Sequence, residues 1–80
     1  MKHANEKDLE IYNDFIDKIR KKNYLKEKKT GVFYKKASAF LHFHIDKNLL
    51  FADLKINNNW KRFAVNSKEE WEILLANIMD

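Results

Sequence analysis

Phe40-Leu41-His42-Phe43-His44-Ile45-Asp46, followed after a short gap by Leu50-Phe51-Ala52-Asp53-Leu54-Lys55-Ile56, is the stretch whose reading decides the fold. Both segments alternate apolar and polar residues, the pattern of a half-buried strand. In the first the apolar set is Ala39, Leu41, Phe43 and Ile45; in the second it is Leu50, Ala52, Leu54 and Ile56. An antiparallel hairpin turning at Lys47-Asn48 pairs Ala39 with Ile56, Leu41 with Leu54, Phe43 with Ala52 and Ile45 with Leu50. All of these then share one face, which is the register that burial demands. The opposite face pairs His42 with Asp53 and His44 with Phe51.

The flanks read as helices. Leu9, Tyr12, Phe15, Ile16 and Ile19 recur at spacings of three and four, giving one apolar stripe. Asn5 suits the N-cap, Glu6 and Asp8 suit the positive helix start, and Lys18 to Lys22 suit its negative end. The helix is therefore expected over 6–23, with residues 1–5 frayed. At the other end, Ser67-Lys68-Glu69-Glu70 has the form of a capping box. Trp71, Leu74, Leu75 and Ile78 then make the stripe of a closing helix over 68–79.

Between the helices, Lys26 to Thr30 reads as a charged connection and Val32-Phe33-Tyr34 as a short strand that turns through Lys35-Lys36. Gly31, the single glycine, marks a turn or a close backbone approach. Asn57-Asn58-Asn59 reads as a turn. It leads into the strand Trp60 to Val65, with Phe63 expected opposite Leu54 and Val65 opposite Ala52. The sheet spans 31–65. Helix, meander of three or four antiparallel strands, helix (αββββα) defines a two-layer α+β sandwich in a single domain, residues 1–80.

Gly31-Val32-Phe33-Tyr34, the run Ala39-Phe40-Leu41-His42-Phe43-His44 and the later Phe51-Ala52-Asp53 together resemble a small family of uncharacterised conserved bacterial proteins, over residues 24–78. The resemblance implies the same small fold and no activity, cofactor or site residue. In layout the chain is also similar to the YjbR-like small domains, which implies architecture alone.

Composition narrows the classes. Eighty residues with 45% hydrophobic and 14% aromatic residues suffice for one packed core. There is no cysteine, so disulfides and thiolate metal sites are excluded. No apolar run approaches the roughly 20 residues that span a bilayer, and no signal-peptide pattern follows Met1. A cytoplasmic protein is expected, with Lys-, Asn- and Ile-rich, Pro-free usage suiting an AT-rich bacterial genome. The net charge is +4, but Lys18 to Lys36 holds nine basic residues against the one acid Glu27, which leaves an acidic remainder.

Three site readings follow. The sheet face away from the helices is expected to carry Phe33, Phe40, Phe51 and Trp60 among His42, His44, Asp53, Lys55 and Arg62, the aromatic and Arg composition that interface centres favour. This is the leading reading: a non-enzymatic binding domain for a protein partner or a second copy, its alternative being that the C-terminal residues or an edge loop cover the aromatics within the monomer. Association would depend on pH if the two histidines lie in the interface. The second reading is nucleic acid, held by a basic edge marked by Lys21, Lys22, Lys28 and Lys29, with bases stacking on the aromatics. Its alternative is solvated charge that complements a helix end. In the third, His42 and His44 would share a metal with Asp53. Its alternative is a plain His42–Asp53 cross-strand pair, and His3 is expected to be adventitious. No catalytic nucleophile, phosphate loop or cofactor motif is present: Ser67 is committed to capping and Ser38 lies at a strand turn.

Overall fold

Two-residue turns fix the sheet. In the computed structural model, which describes residues 2–78, Lys47 and Asn48 adopt φ of 52° and 65°, and Asn57 and Asn58 adopt 52° and 68°. Left-handed backbone at both central residues matches the right-handed twist of the strands that such a turn joins. The first turn links β4 (Ser38–Asp46) to β5 (Leu49–Ile56), and the second links β5 to β6 (Asn59–Ala64). The β4–β5 register is the expected one: Leu41 faces Leu54, His42 faces Asp53, Phe43 faces Ala52 and His44 faces Phe51. The β5–β6 register differs by two residues. Ala52 faces Phe63 and Leu54 faces Lys61, because Asn59 belongs to the strand, opposite Ile56, and not to the turn. A shift of two preserves the face of every side chain.

The meander has five strands. Leu25–Lys29 is not a connection but an edge strand, β2, antiparallel to β3 (Val32–Lys35). The sheet runs β2-β3-β4-β5-β6. The turn into β4 is Lys36-Ala37, one residue later than expected. Residues Lys2–His3 are paired rather than frayed: they form β1, antiparallel to β4, with His3 opposite His44, and the Ala4 amide donates to the Phe43 carbonyl at 3.0 Å.

The first helical segment is broken where a single run was expected. It comprises α1 (Glu6–Leu9), a 3-10 turn (Glu10–Tyr12) and α2 (Asn13–Arg20), ending before Asn23. Asn5 and Asp8 form a reciprocal capping box at α1, each amide donating to the other's side chain at 2.9 Å. The apolar stripe survives the break, with Leu9, Ile16 and Ile19 buried. The closing helix, α3 (Lys68–Asn77), starts on the Ser67 hydroxyl, which accepts from the Glu70 amide. Glu70 reaches back to the amide of Asn66 at 2.7 Å and not to that of Ser67. The expected end of this helix at 79 lies outside the described residues.

Both helical segments cover the same side of the sheet. Trp71 of α3 packs against Phe43 of β4, against Phe15 of α2 in a stacked arrangement and against Tyr12, with ring centroids 5.4–5.5 Å apart. Phe33, expected on the opposite face, belongs to this core: it sits opposite Leu41 and is 1% exposed. Asn66 extends the sheet past the end of β6. Its side chain accepts from the Leu50 amide at 2.8 Å and donates to the Leu50 carbonyl at 3.0 Å, imitating a strand.

Gly31 fulfils both of its expected roles. Its φ is 73°, and a Cβ there would meet Leu9 Cδ1 at 2.9 Å. Its amide donates to Glu27 Oε2 at 2.9 Å, and Glu27 also accepts from Arg20 Nε at 2.7 Å, so one carboxylate ties α2, β2 and the turn. Replacement of Gly31 by Ala should cost about 1–3 kcal/mol from left-handed strain and the Leu9 contact, measured by urea denaturation. Glu27 gives a pH signature. Burial pushes its carboxyl up, but the hydrogen bonds and charge of Arg20 and the Gly31 amide outweigh this and hold it below the ordinary value. The folded state therefore binds this proton more weakly than the unfolded state. The contribution is complete above about pH 4.3 and fades as pH falls through the depressed value. Because Arg20 is about one-third exposed, Glu27→Gln should lower stability at pH 7 by only about 0.5–1 kcal/mol. The difference from wild type should shrink in acid.

Candidate functional site

The alternation that sends Phe43 towards Trp71 sends His42 and His44 the other way. On β5 the same parity presents Phe51, Asp53 and Lys55 on this uncovered face, and on β6 it presents Trp60 and Arg62. Of the residues read from the sequence as a binding face, Phe40, His42, His44, Phe51, Asp53, Trp60 and Arg62 are brought together, and Phe33 is not. The aromatic surface is smaller than expected: Phe40 and Phe51 are half-buried, and Trp60 is the exposed one at 45%.

Asp53 is the polar centre. It is 8% exposed and takes both arms of Arg62, Nε at 2.8 Å and Nη2 at 3.0 Å. Two parallel N–H···O bonds between planar groups give a geometrically exacting ion pair. Those bonds hold the Asp53 carboxyl below the usual carboxylate range against burial, which pushes it up; the Arg62 charge and the nearby histidines add to the lowering. His44 Nε2 lies 3.2 Å from Asp53 Oδ2. The pair Asp53–His42 is thus cross-strand in register, while the short side-chain contact is made by His44.

The histidines form a group of three. His42 Nδ1 and His44 Nε2 are 2.5 Å apart, and His3 stands over them with ring centroids 4.9 Å from His44 and 5.9 Å from His42. Trp60 meets His42 edge-on at 4.7 Å. Burial, then the neighbouring His44, push His42 below its ordinary value, and Asp53 only partly opposes this. The sequence reading set His3 aside as adventitious on a frayed terminus, because two paired residues at a chain end give no periodicity to read. Asp53, expected as a third metal ligand, is instead engaged by Arg62, and the third imidazole is that of His3.

Cations overlie the aromatics of this face. Lys35 Nζ is 5.3 Å from the Phe40 ring, Lys55 Nζ is 5.1 Å from Trp60, and Arg62 Cζ is 5.7 Å from Phe51. The expected basic edge is divided. Lys21 and Lys22 line a hollow at the end of α2 with Lys18 and Tyr24, whereas Lys28 and Lys29 lie on β2 and border a hollow of about 420 Å³ with His3, Val32 and Tyr34. A more open hollow of about 760 Å³ lies beside Glu10, Asp17, Arg20 and Glu27. Within it Arg20 bonds Asp17 at 3.0 Å and Glu27 at 2.7 Å.

Among the described residues, no helix is long and apolar enough to cross a membrane. No protein-family model, curated protein or solved structure matches the chain. What it defines by its own geometry is a two-layer α+β domain with one covered and one open sheet face.

The Asp53–Arg62 pair lends itself to a double-mutant cycle. Asp53→Asn and Arg62→Gln should each lower the melting temperature, and the double variant should lose less than the two losses combined. Additive losses would mean that the bidentate pair contributes no coupling.

Proposed function

We propose that the chain is a non-catalytic, cytoplasmic binding domain that takes a protein partner on its open sheet face. The observation that carries this reading is the row of cation-over-aromatic pairs, Lys35–Phe40, Lys55–Trp60 and Arg62–Phe51, on the face opposite the helices. Trp60 and the stems of these cations offer apolar contact, and the charged heads of Lys35 and Lys55 offer partners to carboxylates. The complementary ligand is an acidic segment that also carries aromatic side chains. The half-buried rings between strands are held in place by their neighbours, so little side-chain freedom remains to be lost on binding.

The nucleic-acid reading has weaker support. Lys26, Lys28 and Lys29 lie on the edge strand β2, whose register shifts between Glu27 and Lys29. Lysines and an irregularity on an edge strand are a common guard against pairing with other chains. That role accounts for these charges without a ligand.

An amide-resolved NMR titration separates the two. A peptide alternating Glu and Phe should shift the resonances of Phe40, Phe51, Lys55, the Trp60 indole and Arg62. Trp60→Ala should weaken the binding at least about fivefold, as expected of an exposed aromatic at an interface centre. A single-stranded oligonucleotide is the competing probe. Binding that falls steeply with salt and disappears when Lys21, Lys22, Lys28 and Lys29 become Ala would replace this reading with the nucleic-acid one.

A further inference from the structure

We infer that His3, His42 and His44 form a binding site for a divalent transition-metal ion of the zinc class. One ring nitrogen from each residue can be chosen so that all three lie within 4.8 Å of one another. A metal held at about 2.0–2.1 Å by each imidazole requires nitrogens about 3.3 Å apart in a tetrahedral arrangement. The His42 Nδ1–His44 Nε2 separation of 2.5 Å must therefore widen and His3 must swing in, and His3, which is exposed, has the room to move.

The arrangement follows from the sheet. His42 and His44 share a face because they are two apart on β4, and His3 joins them because β1 places it directly opposite His44. Two of the three ligands are therefore carried by β4, central in the sheet, which is the rigidity a metal site needs, and the third by β1 paired to it. Three neutral nitrogen donors and no thiolate favour Zn²⁺, Co²⁺, Ni²⁺ or Cu²⁺ over the oxygen-seeking Mg²⁺ and Ca²⁺. Three protein ligands leave a tetrahedral ion one position for water or for a group brought by a ligand.

Asp53 borders the ligand set: its Oδ2 lies 3.2 Å from His44 Nε2 and also accepts from Arg62 Nη2 at 3.0 Å, so the guanidinium fixes the carboxylate's orientation and offsets its charge. The site does not depend on the protein-binding reading above, since its donors are the histidines and not the cation–aromatic pairs.

Cobalt is the probe of choice, because its visible d–d bands intensify in four-coordinate geometry and because it quenches nearby indole emission. Titration of the untagged full chain with Co²⁺ at pH 7.5 should give one bound ion, tetrahedral-type bands and quenching of Trp60, which touches His42. A Trp60→Phe control should lose the quenching and keep the bands. Zn²⁺ should displace the Co²⁺, and Mg²⁺ at millimolar concentration should not. His42→Gln and His44→Gln should each weaken binding at least tenfold, with far-UV circular dichroism confirming the fold. His3→Gln, at an exposed position with little risk to folding, should do the same and abolish the four-coordinate bands. Failure of Co²⁺ to bind at 1 mM would overturn the inference. So would binding that survives in the His42→Gln/His44→Gln double variant but is lost with His3→Gln, which would place the ion on the chain terminus alone.

Discussion

The contact between Trp71 and Phe43 is the constraint on which the remainder of the molecule depends. Trp71 is fully buried and touches rings from the first helical segment and from the central strand. It therefore joins the two ends of the chain to the middle of the sheet. Its indole Nε1 has no hydrogen-bond partner among the described residues, so apolar packing alone retains it. Leaving such a donor unpaired costs about 1–3 kcal/mol, and truncating a buried Trp costs about 3–5 kcal/mol. A chain of this length has only about 4–12 kcal/mol of net stability. The packing term must therefore exceed the polar penalty by a margin that is large on that scale. Once Phe43 points at Trp71, strand parity leaves His42 and His44 no choice but the opposite face. The location of the histidines is a consequence of the core.

That logic explains which parts of the fold could be read from the sequence. The β4–β5 register was legible because Leu41, Phe43, Leu50, Ala52 and Leu54 alternate over enough residues to admit one pairing. The caps were legible because Asn5 and Ser67 precede apolar stripes at the required spacing. Strand β2 was not, because Lys26-Glu27-Lys28-Lys29 is polar on both faces, as an edge strand tolerates. Phe33 was misplaced because Val32-Phe33-Tyr34 is apolar throughout and too short to show a period. The β3–β4 irregularity between Phe33 and Tyr34 then breaks any extrapolation from Phe40 and Leu41. The two-residue error at β6 has a different origin: Asn57, Asn58 and Asn59 are chemically alike, and parity conceals a slip of two.

The open face was legible in membership and not in geometry. Sequence parity assigned His42, His44, Asp53, Trp60 and Arg62 to it correctly, but parity says nothing about reach. Arg62 opposite Asp53 in the true register makes the bidentate pair, whereas the expected register would have set Arg62 two residues away. Occupying Asp53 in that way changes the chemistry of the face, because a carboxylate already held by guanidinium is a poor competitor for a metal and a good orienter of His44. The charged run from Lys18 to Lys36 likewise looked like one patch on paper. In space it is split between the end of α2 and the β2 edge, and Arg20 is consumed by Asp17 and Glu27.

His3 sets the face apart from an ordinary polar sheet surface. His42 and His44 stand on a strand paired along both edges, so their positions are dictated by the core. His3 stands on a two-residue strand held by its pairing with Ile45 and His44 and by the Ala4 amide on Phe43. So short a pairing adds little stability by itself, because two residues must be ordered for a few hydrogen bonds. Any ligand that engages His3 together with His42 or His44 must favour the paired state of β1. By linkage, pairing favours that ligand to the same degree. The stability of β1 and the affinity of the histidine face are therefore one quantity seen from two sides, and a change at Ala4 that weakens the docking of β1 must weaken ligand binding without touching an imidazole.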